Sequence, residues 1–253
     1  MDKWFPEMYD RPENGSIAAS GVYWVVCYFM IPFVTIFLSW VLSDDLTAYV
    51  GVDLVTYVVN FLCMLALFRA YLSDSFLEAQ LNLPRFLKTL LVSAVLILVV
   101  EIGLVLWGFR WNVPGILWAY PISETSVIAS TSAVIIGNPL LGTLCMTVLT
   151  PVTVSCMFYA TVFAPLATKN PKQAYIVTAA LLLLPRLLGS WWLRDGMYDL
   201  SIYLLQLPVH LIACWSYQKA NTAWAPIVSL SITNLLMCLL LWIMSLVGFI
   251  YVN

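Results

Sequence analysis

The sequence predicts an all-α membrane protein, a polytopic bundle of about seven transmembrane helices. Hydrophobic residues make up 62% of its 253 positions and charged residues only 9%. Soluble domains keep about a quarter of their residues charged, so this chain has too little polar surface for water, and lipid is its expected solvent. Its apolar runs are continuous rather than alternating, which predicts helices rather than the strands of a barrel.

Seven apolar runs are each long enough to cross a bilayer, which takes about 20 helical residues. Residues 1–21 are interpreted as a cytoplasmic N-terminal segment, and residues 22–253 as a single transmembrane domain. The last run is long enough for a strongly tilted span or for a span plus a short helix, so eight spans are the alternative. The predicted spans are Val22–Leu42, Val50–Leu72, Phe86–Trp107, Leu140–Leu166, Gln173–Leu193, Met197–Tyr217 and Trp224–Val252.

The segment between the second and third spans predicts a short helix lying on the membrane surface. Ser75 and Glu78 have the spacing of a capping box at the start of a helix. Apolar residues between Phe76 and Leu87 supply a face for the membrane, and Pro84 is expected to break the helix.

Three further segments carry local predictions. Asn14-Gly15-Ser16 is interpreted as a turn in the N-terminal tail. The connection Asn112–Pro139 is too hydrophobic for a disordered linker, which favours a re-entrant or surface-lying cap. Pro151 lies inside the fourth run and predicts a kinked helix.

The distribution of basic residues predicts a cytoplasmic N-terminus. With that orientation, eight basic residues face the cytoplasm, and only Arg110 and Arg194 lie on the opposite side. This is the positive-inside bias, and seven spans then place the C-terminus outside. The eight are Lys3, Arg11, Arg69, Arg85, Lys88, Lys169, Lys172 and Lys219.

The charge and cysteine patterns argue against several classes of function. The formal net charge is −2, and no basic cluster indicates a nucleic-acid partner. The six cysteines lie inside apolar runs without Cys-x-x-Cys spacing, so we expect buried thiols rather than disulfides. A single histidine cannot build a multi-histidine metal site, and we expect neither a metal nor a cofactor.

Two stretches of the C-terminal half have helix-end phrases in common with a known family. The first is PVTVSCMFYA at Pro151–Ala160, continuing to FAPL and KNPK, and the second is WSYQKANTAWAPI at Trp215–Ile227. They resemble the CPBP family of membrane proteins, which includes CAAX prenyl endopeptidases and Abi-like bacteriocin-processing or immunity proteins. The resemblance implies a CPBP-like core at about residues 140–253 and favours a bacterial plasma membrane.

The resemblance also implies that the catalytic positions have been replaced. The family uses Glu-Glu-x-x-x-Arg, then Phe-x-x-x-His, then His-x-x-x-Asn or Asp, to activate a water molecule. Valine and leucine can neither exchange a proton nor bind a metal, so a non-catalytic member is expected, with no catalytic residue. In motif order the positions are Val154, Ser155, Tyr159, Leu182, Arg186, Leu230 and Asn234, and only the last matches.

Polar residues inside the predicted spans are the candidate binding residues, because ionisable groups in lipid are costly and usually have a partner. Glu101 and Arg186 lie at similar depth in the outer half, and we predict an ion pair that pins two helices. His210 is interpreted as a hydrogen-bonded packing residue. Asn60 and Asn234 lie near mid-membrane and predict hydrogen bonds between helices.

Three functions are compatible with these observations. The first is a non-catalytic CPBP-like scaffold, regulator or immunity or export protein, which binds a membrane protein or peptide partner. The second is an active intramembrane protease with unusual residues, for which Ser155 is the only aliphatic hydroxyl in the replaced motif. The third is a small transporter or transporter subunit, favoured by intramembrane acid and base but not by any inverted repeat.

Overall fold

The structure, a computed structural model, describes residues 12–25, 46–111, 139–193 and 197–246. All regular structure in these ranges is helical, which confirms the predicted helical class. Helix α1 covers residues 14–25, and the long helix α4 passes without a break through Pro139–Leu144, Cys145–Leu149, Thr150–Val154, Ser155–Phe163 and Ala164–Ala167. The other helices are α2 (Leu46–Leu81), α3 (Leu83–Trp111), α5 (Pro171–Leu193), α6 (Met197–Ala220) and α7 (Trp224–Leu246).

Three helical stretches of the described chain are long and apolar enough to cross a membrane. They are Tyr57–Leu81, Leu83–Leu104 and Leu140–Ala167, and Trp224–Leu240 is a shorter apolar helix. These stretches belong to the second, third, fourth and seventh predicted spans. The full count of seven spans stays a prediction.

Helices α2 to α7 share one main core of buried apolar side chains. Helix α3 packs chiefly against α6 and α7, whereas α5 packs against α4 and α6. The turns α2–α3 and α6–α7 are in contact, because Arg85 Nε donates to the Lys219 carbonyl at 2.7 Å. The α4–α5 turn lies at the same end, where Tyr175 Oη donates to Gln218 Oε1 at 3.0 Å.

The prediction of a separate surface helix between the second and third spans is wrong. Helix α2 continues through this segment to Leu81, and α3 begins only two residues later. Ser75 is buried inside α2 rather than capping a new helix, and it bonds instead to the α6–α7 turn. The capping-box spacing was misleading because a serine can satisfy a distant backbone group as well as a local one.

Two other local predictions have different outcomes. Residues 14–16 lie at the start of α1, so the predicted turn at Asn14-Gly15-Ser16 is wrong. Asn14 has a helical backbone conformation and is the first residue of α1. The predicted cap at Asn112–Pro139 lies outside the described residues, except for its last residue, which begins α4.

Candidate functional site

Helix α4, which carries the first motif stretch, is partly π-helical. Its segments Cys145–Leu149 and Ser155–Phe163 are π-helix. Accordingly, the Thr150 N–H donates to the Cys145 carbonyl and the Ala164 N–H to the Tyr159 carbonyl, each five residues back. π-helical turns are rare and are frequent at functional sites, because they widen the helix and redirect side chains.

Asn234 fixes the first π-helical segment to α7. Its Nδ2 donates to the Met146 carbonyl at 2.8 Å. Met146 lies five residues before Pro151, so its carbonyl faces the position where a π-helical N–H would be, and proline has none. Asn234 therefore completes the backbone hydrogen bonding of α4 beside Pro151. The predicted interhelical role of Asn234 is what the structure shows.

The replaced motif positions come together in the core. Val154, Tyr159 and Leu230 belong to the main core, and Leu182 packs against it. Val154 is 3% exposed and Leu230 is 6% exposed, so apolar side chains close the space between α4 and α7. The side chain of Arg186 lies outside the described residues.

Ser155 is the one aliphatic hydroxyl among the positions aligned with the motif. It is 1% exposed, and its Oγ has no hydrogen-bond partner. A serine nucleophile needs a base within hydrogen-bonding reach, and none of the described side chains provides one here. Its geometry is that of a small buried residue at a helix contact.

Tyr159 and His210 form the clearest polar pair inside the bundle. Tyr159 Oη and His210 Nδ1 are 2.7 Å apart, and Tyr159 is fully buried in the main core. The bond links the π-helical part of α4 to α6. His210 is thus a hydrogen-bonded packing residue, as the sequence predicted.

Asn60 also has the interhelical bond that was predicted for it. Tyr23 Oη of α1 donates to Asn60 Oδ1 of α2. One turn away, Thr161 Oγ1 donates to Ser20 Oγ at 2.9 Å, and Ser20 Oγ lies 3.7 Å from Met64 Sδ. Helix α1 is therefore held by polar contacts against α2 and the π-helical part of α4.

Glu101 is buried in the bundle without a partner for one of its oxygens. It is 2% exposed, and its Oε2 has no hydrogen bond. It interacts electrostatically with Cys238 of α7, beside which lies Thr143 of α4. Trp242 Nε1 is also buried without a hydrogen-bond partner. Arg186, the predicted partner of Glu101, has a side chain outside the described residues.

The sequence reasoning missed a polar cluster where the α6–α7 turn meets α2. Ser75 Oγ accepts from the Ala223 N–H at 2.8 Å, and Thr222 Oγ1 donates to the Ser75 carbonyl at 2.8 Å. Trp224 Nε1 donates to the Leu72 carbonyl at 2.8 Å. Thr222 and Trp224 lie in the WSYQKANTAWAPI stretch, so the second resemblance segment is a helix–helix junction.

Next to this junction lies a second set of polar contacts that the sequence did not predict. It includes the hydrogen bond from Tyr175 to Gln218. The hydroxyls of Tyr71 and Tyr217 are hydrogen-bonded to each other, which joins α2 to α6. The ring of Phe163 contacts Tyr175 and Tyr217 at centroid distances of 4.9 and 6.3 Å. No spacing rule could have found these partners, because they lie on different helices and are at least 12 residues apart in the chain.

The described residues contain no group of three or more His, Cys, Asp and Glu side chains that could hold a metal. The arrangement offers buried apolar packing and the Tyr159–His210 hydrogen bond at the motif positions, and a carboxylate oxygen without a partner at Glu101. Comparison with known proteins gives no match to a family model, to a curated protein or to a solved structure.

Proposed function

We propose that the chain is a non-catalytic, CPBP-like integral membrane protein that binds a membrane protein or peptide partner through its α4–α5–α7 bundle. The observation that carries the proposal is the packing of Val154 and Leu230 where the family needs a glutamate and a histidine. A water molecule at that place would have no acid, base or metal ligand to activate it. A binding role as a scaffold, regulator, or immunity or export factor uses the bundle without that chemistry.

Site-directed photo-crosslinking in native membranes tests where the partner binds. Ile176 on α5 and Leu91 on α3 are matched positions, because they are 68% and 67% exposed on apolar helices. A photoreactive amino acid at Ile176 should give a discrete cross-linked product, whereas the same residue at Leu91 should give lipid adducts only. Equal products at both positions, or none at Ile176, would contradict the proposal.

An activity assay tests the non-catalytic part of the proposal. Purified protein should not cleave prenylated CAAX peptides or leader peptides, and the variants Ser155→Ala and His210→Ala serve as controls. Turnover that disappears in either variant would show that the chain is an active protease with unusual residues.

Glu101 favours a second candidate function, a small transporter. A buried acid with a carboxylate oxygen that has no hydrogen-bond partner could bind a donor group of a small polar substrate. Substrate-dependent thermal stabilisation of the purified protein that is lost in Glu101→Gln would support this function. The absence of stabilisation by any screened ion, amine or amino acid would count against it.

A further inference from the structure

The elbow between α2 and α3, defined as Phe76–Lys88, combines exposed apolar and basic side chains. Five large apolar residues in this short segment are between 47% and 80% exposed: Phe76, Leu77, Leu81, Leu83 and Leu87. Arg85 and Lys88 are exposed on the first two turns of α3. Apolar residues next to long basic side chains are typical of segments that lie in the membrane–water interface.

The ends of two candidate spans place the elbow at a surface of the membrane. Tyr57–Leu81 and Leu83–Leu104 are both long and apolar enough to cross a bilayer, and the chain turns between them at Asn82. The first stretch has 25 residues, which is about 37 Å at 1.5 Å per residue, against about 30 Å of hydrocarbon. The exposed residues Phe76, Leu77 and Leu81 therefore lie within about two helical turns of the headgroup region.

The base of the elbow is fixed, so its surface is presented in one orientation. Ser75 is bonded to Thr222 and Ala223, and the rings of Phe76 and Trp224 contact each other at 5.5 Å. Arg85 Nε donates to the Lys219 carbonyl, which brings a third basic residue beside Arg85. A segment that is already fixed loses little conformational entropy when it binds a ligand.

The charges at the elbow suit a phosphate group. The Nε–H of Arg85 donates to the Lys219 carbonyl, and the Arg85 side chain is exposed. Lys88 lies one helical turn further along α3, on the same face. The nearby acids are Asp74, which is exposed, and Glu78, which accepts from Asn82 Nδ2 at 2.8 Å. Guanidinium and ammonium groups bind phosphate oxygens by charge-assisted hydrogen bonds.

We propose that the elbow is a binding site for an anionic phospholipid of the cytoplasmic leaflet. Phe76, Leu77 and Leu81 lie in the interface, and Arg85 and Lys88 bind the headgroup phosphate. The proposal depends on the membrane setting but not on the partner-binding function, since α4 and α5 take no part in it. A lipid is favoured over a soluble phosphate compound because the exposed apolar residues Leu83 and Leu87 neighbour the two basic residues along α3.

The test uses the full-length protein in nanodiscs and a fluorescent phosphatidylglycerol probe. The double variant Arg85→Gln/Lys88→Gln should weaken probe binding on the order of tenfold, given about one tenfold step or less for each basic residue near an anionic surface. The matched control is Lys169→Gln/Lys172→Gln, which removes two exposed charges with the same spacing from the α4–α5 turn. Unchanged elution volume and helical content show that both variants are folded.

Three results would overturn the proposal. The first is an equal loss of probe binding in the Lys169/Lys172 control, which would indicate a general positive field. The second is equal displacement of the probe by phosphatidylcholine and phosphatidylglycerol. The third is displacement by soluble glycerol phosphate at concentrations that match the lipid, which would indicate a soluble ligand. As a second readout, Leu81→Cys should be protected from an impermeant maleimide in phosphatidylglycerol nanodiscs and become reactive with Arg85→Gln/Lys88→Gln.

Discussion

Tyr159 and His210 show how a single polar contact can link two helices of the bundle. Their side chains are 2.7 Å apart in a largely apolar environment. We expect Tyr159→Phe to lower the free energy of unfolding by about 0.5–1.5 kcal/mol, since a buried hydrogen bond contributes about that much. Unfolding in mixed micelles measures the change. In a double-mutant cycle with His210→Ala, additive effects of the two substitutions would contradict the bond.

The predicted pair of Glu101 and Arg186 is tested by exchanging its charges. If the two side chains pair, Glu101→Gln leaves Arg186 without its acid and should lower the melting temperature in detergent, because breaking a buried pair costs about 3–5 kcal/mol. The exchanged variant Glu101→Arg/Arg186→Glu should then recover part of the loss. A neutral Glu101→Gln together with no recovery would mean that the acid is unpaired, which agrees with the unsatisfied Oε2.

At the scale of the element, α4 combines a proline, two π-helical segments and a side chain from α7. Asn234→Leu removes the donor to the Met146 carbonyl, and we expect it to lower the free energy of unfolding by about 1 kcal/mol. Pro151→Ala supplies a backbone N–H that can reach that carbonyl. The loss caused by Asn234→Leu should therefore be smaller in a Pro151→Ala background, measured by unfolding in mixed micelles. An equal loss in both backgrounds would contradict the role of Asn234.

The predicted elements agree with the structure where apolar length alone decides them. The second to seventh predicted spans overlap α2 to α7, and the sixth and seventh begin at Met197 and Trp224 as predicted. The sequence could not predict the end of α2, because Ser75 and the residues after it are held in the helix by Thr222 and Ala223, which are distant in sequence. The same holds for the π-helical turns, since hydrogen-bond register inside a helix leaves no apolar pattern.

The candidate site was predictable only in part, and for a similar reason. The residue types placed Asn60, His210 and Asn234 in polar contacts between helices, and the structure supplies Tyr23, Tyr159 and the Met146 carbonyl as their partners. The junction of Ser75 with Thr222 and the pair of tyrosines Tyr71 and Tyr217 depend on how the helices pack. Small hydroxyl residues in apolar runs do not identify their partners.

At the scale of the whole molecule, polar contacts define the relative directions of the helices. Ser20 contacts Met64, whereas Tyr23, three residues later, contacts Asn60, so α1 runs antiparallel to α2. The turns α2–α3, α4–α5 and α6–α7 share one end of the bundle. This alternation is the arrangement expected of helices that cross a membrane up and down.

The orientation predicts which sites an impermeant reagent can reach in intact cells. A cysteine replacing Asn170, in the α4–α5 turn, should react with an impermeant maleimide only after the membrane is permeabilised, because Lys169 and Lys172 place this turn inside by the positive-inside rule. A cysteine appended after Asn253 should react in intact cells, since an odd number of spans puts the two ends on opposite sides. The parent protein controls for its own cysteines, of which Cys145, Cys156, Cys214 and Cys238 are buried. Labelling of both positions from the same side would require an even number of spans between Asn170 and Asn253, as in the eight-span alternative, in which the last run holds an additional span.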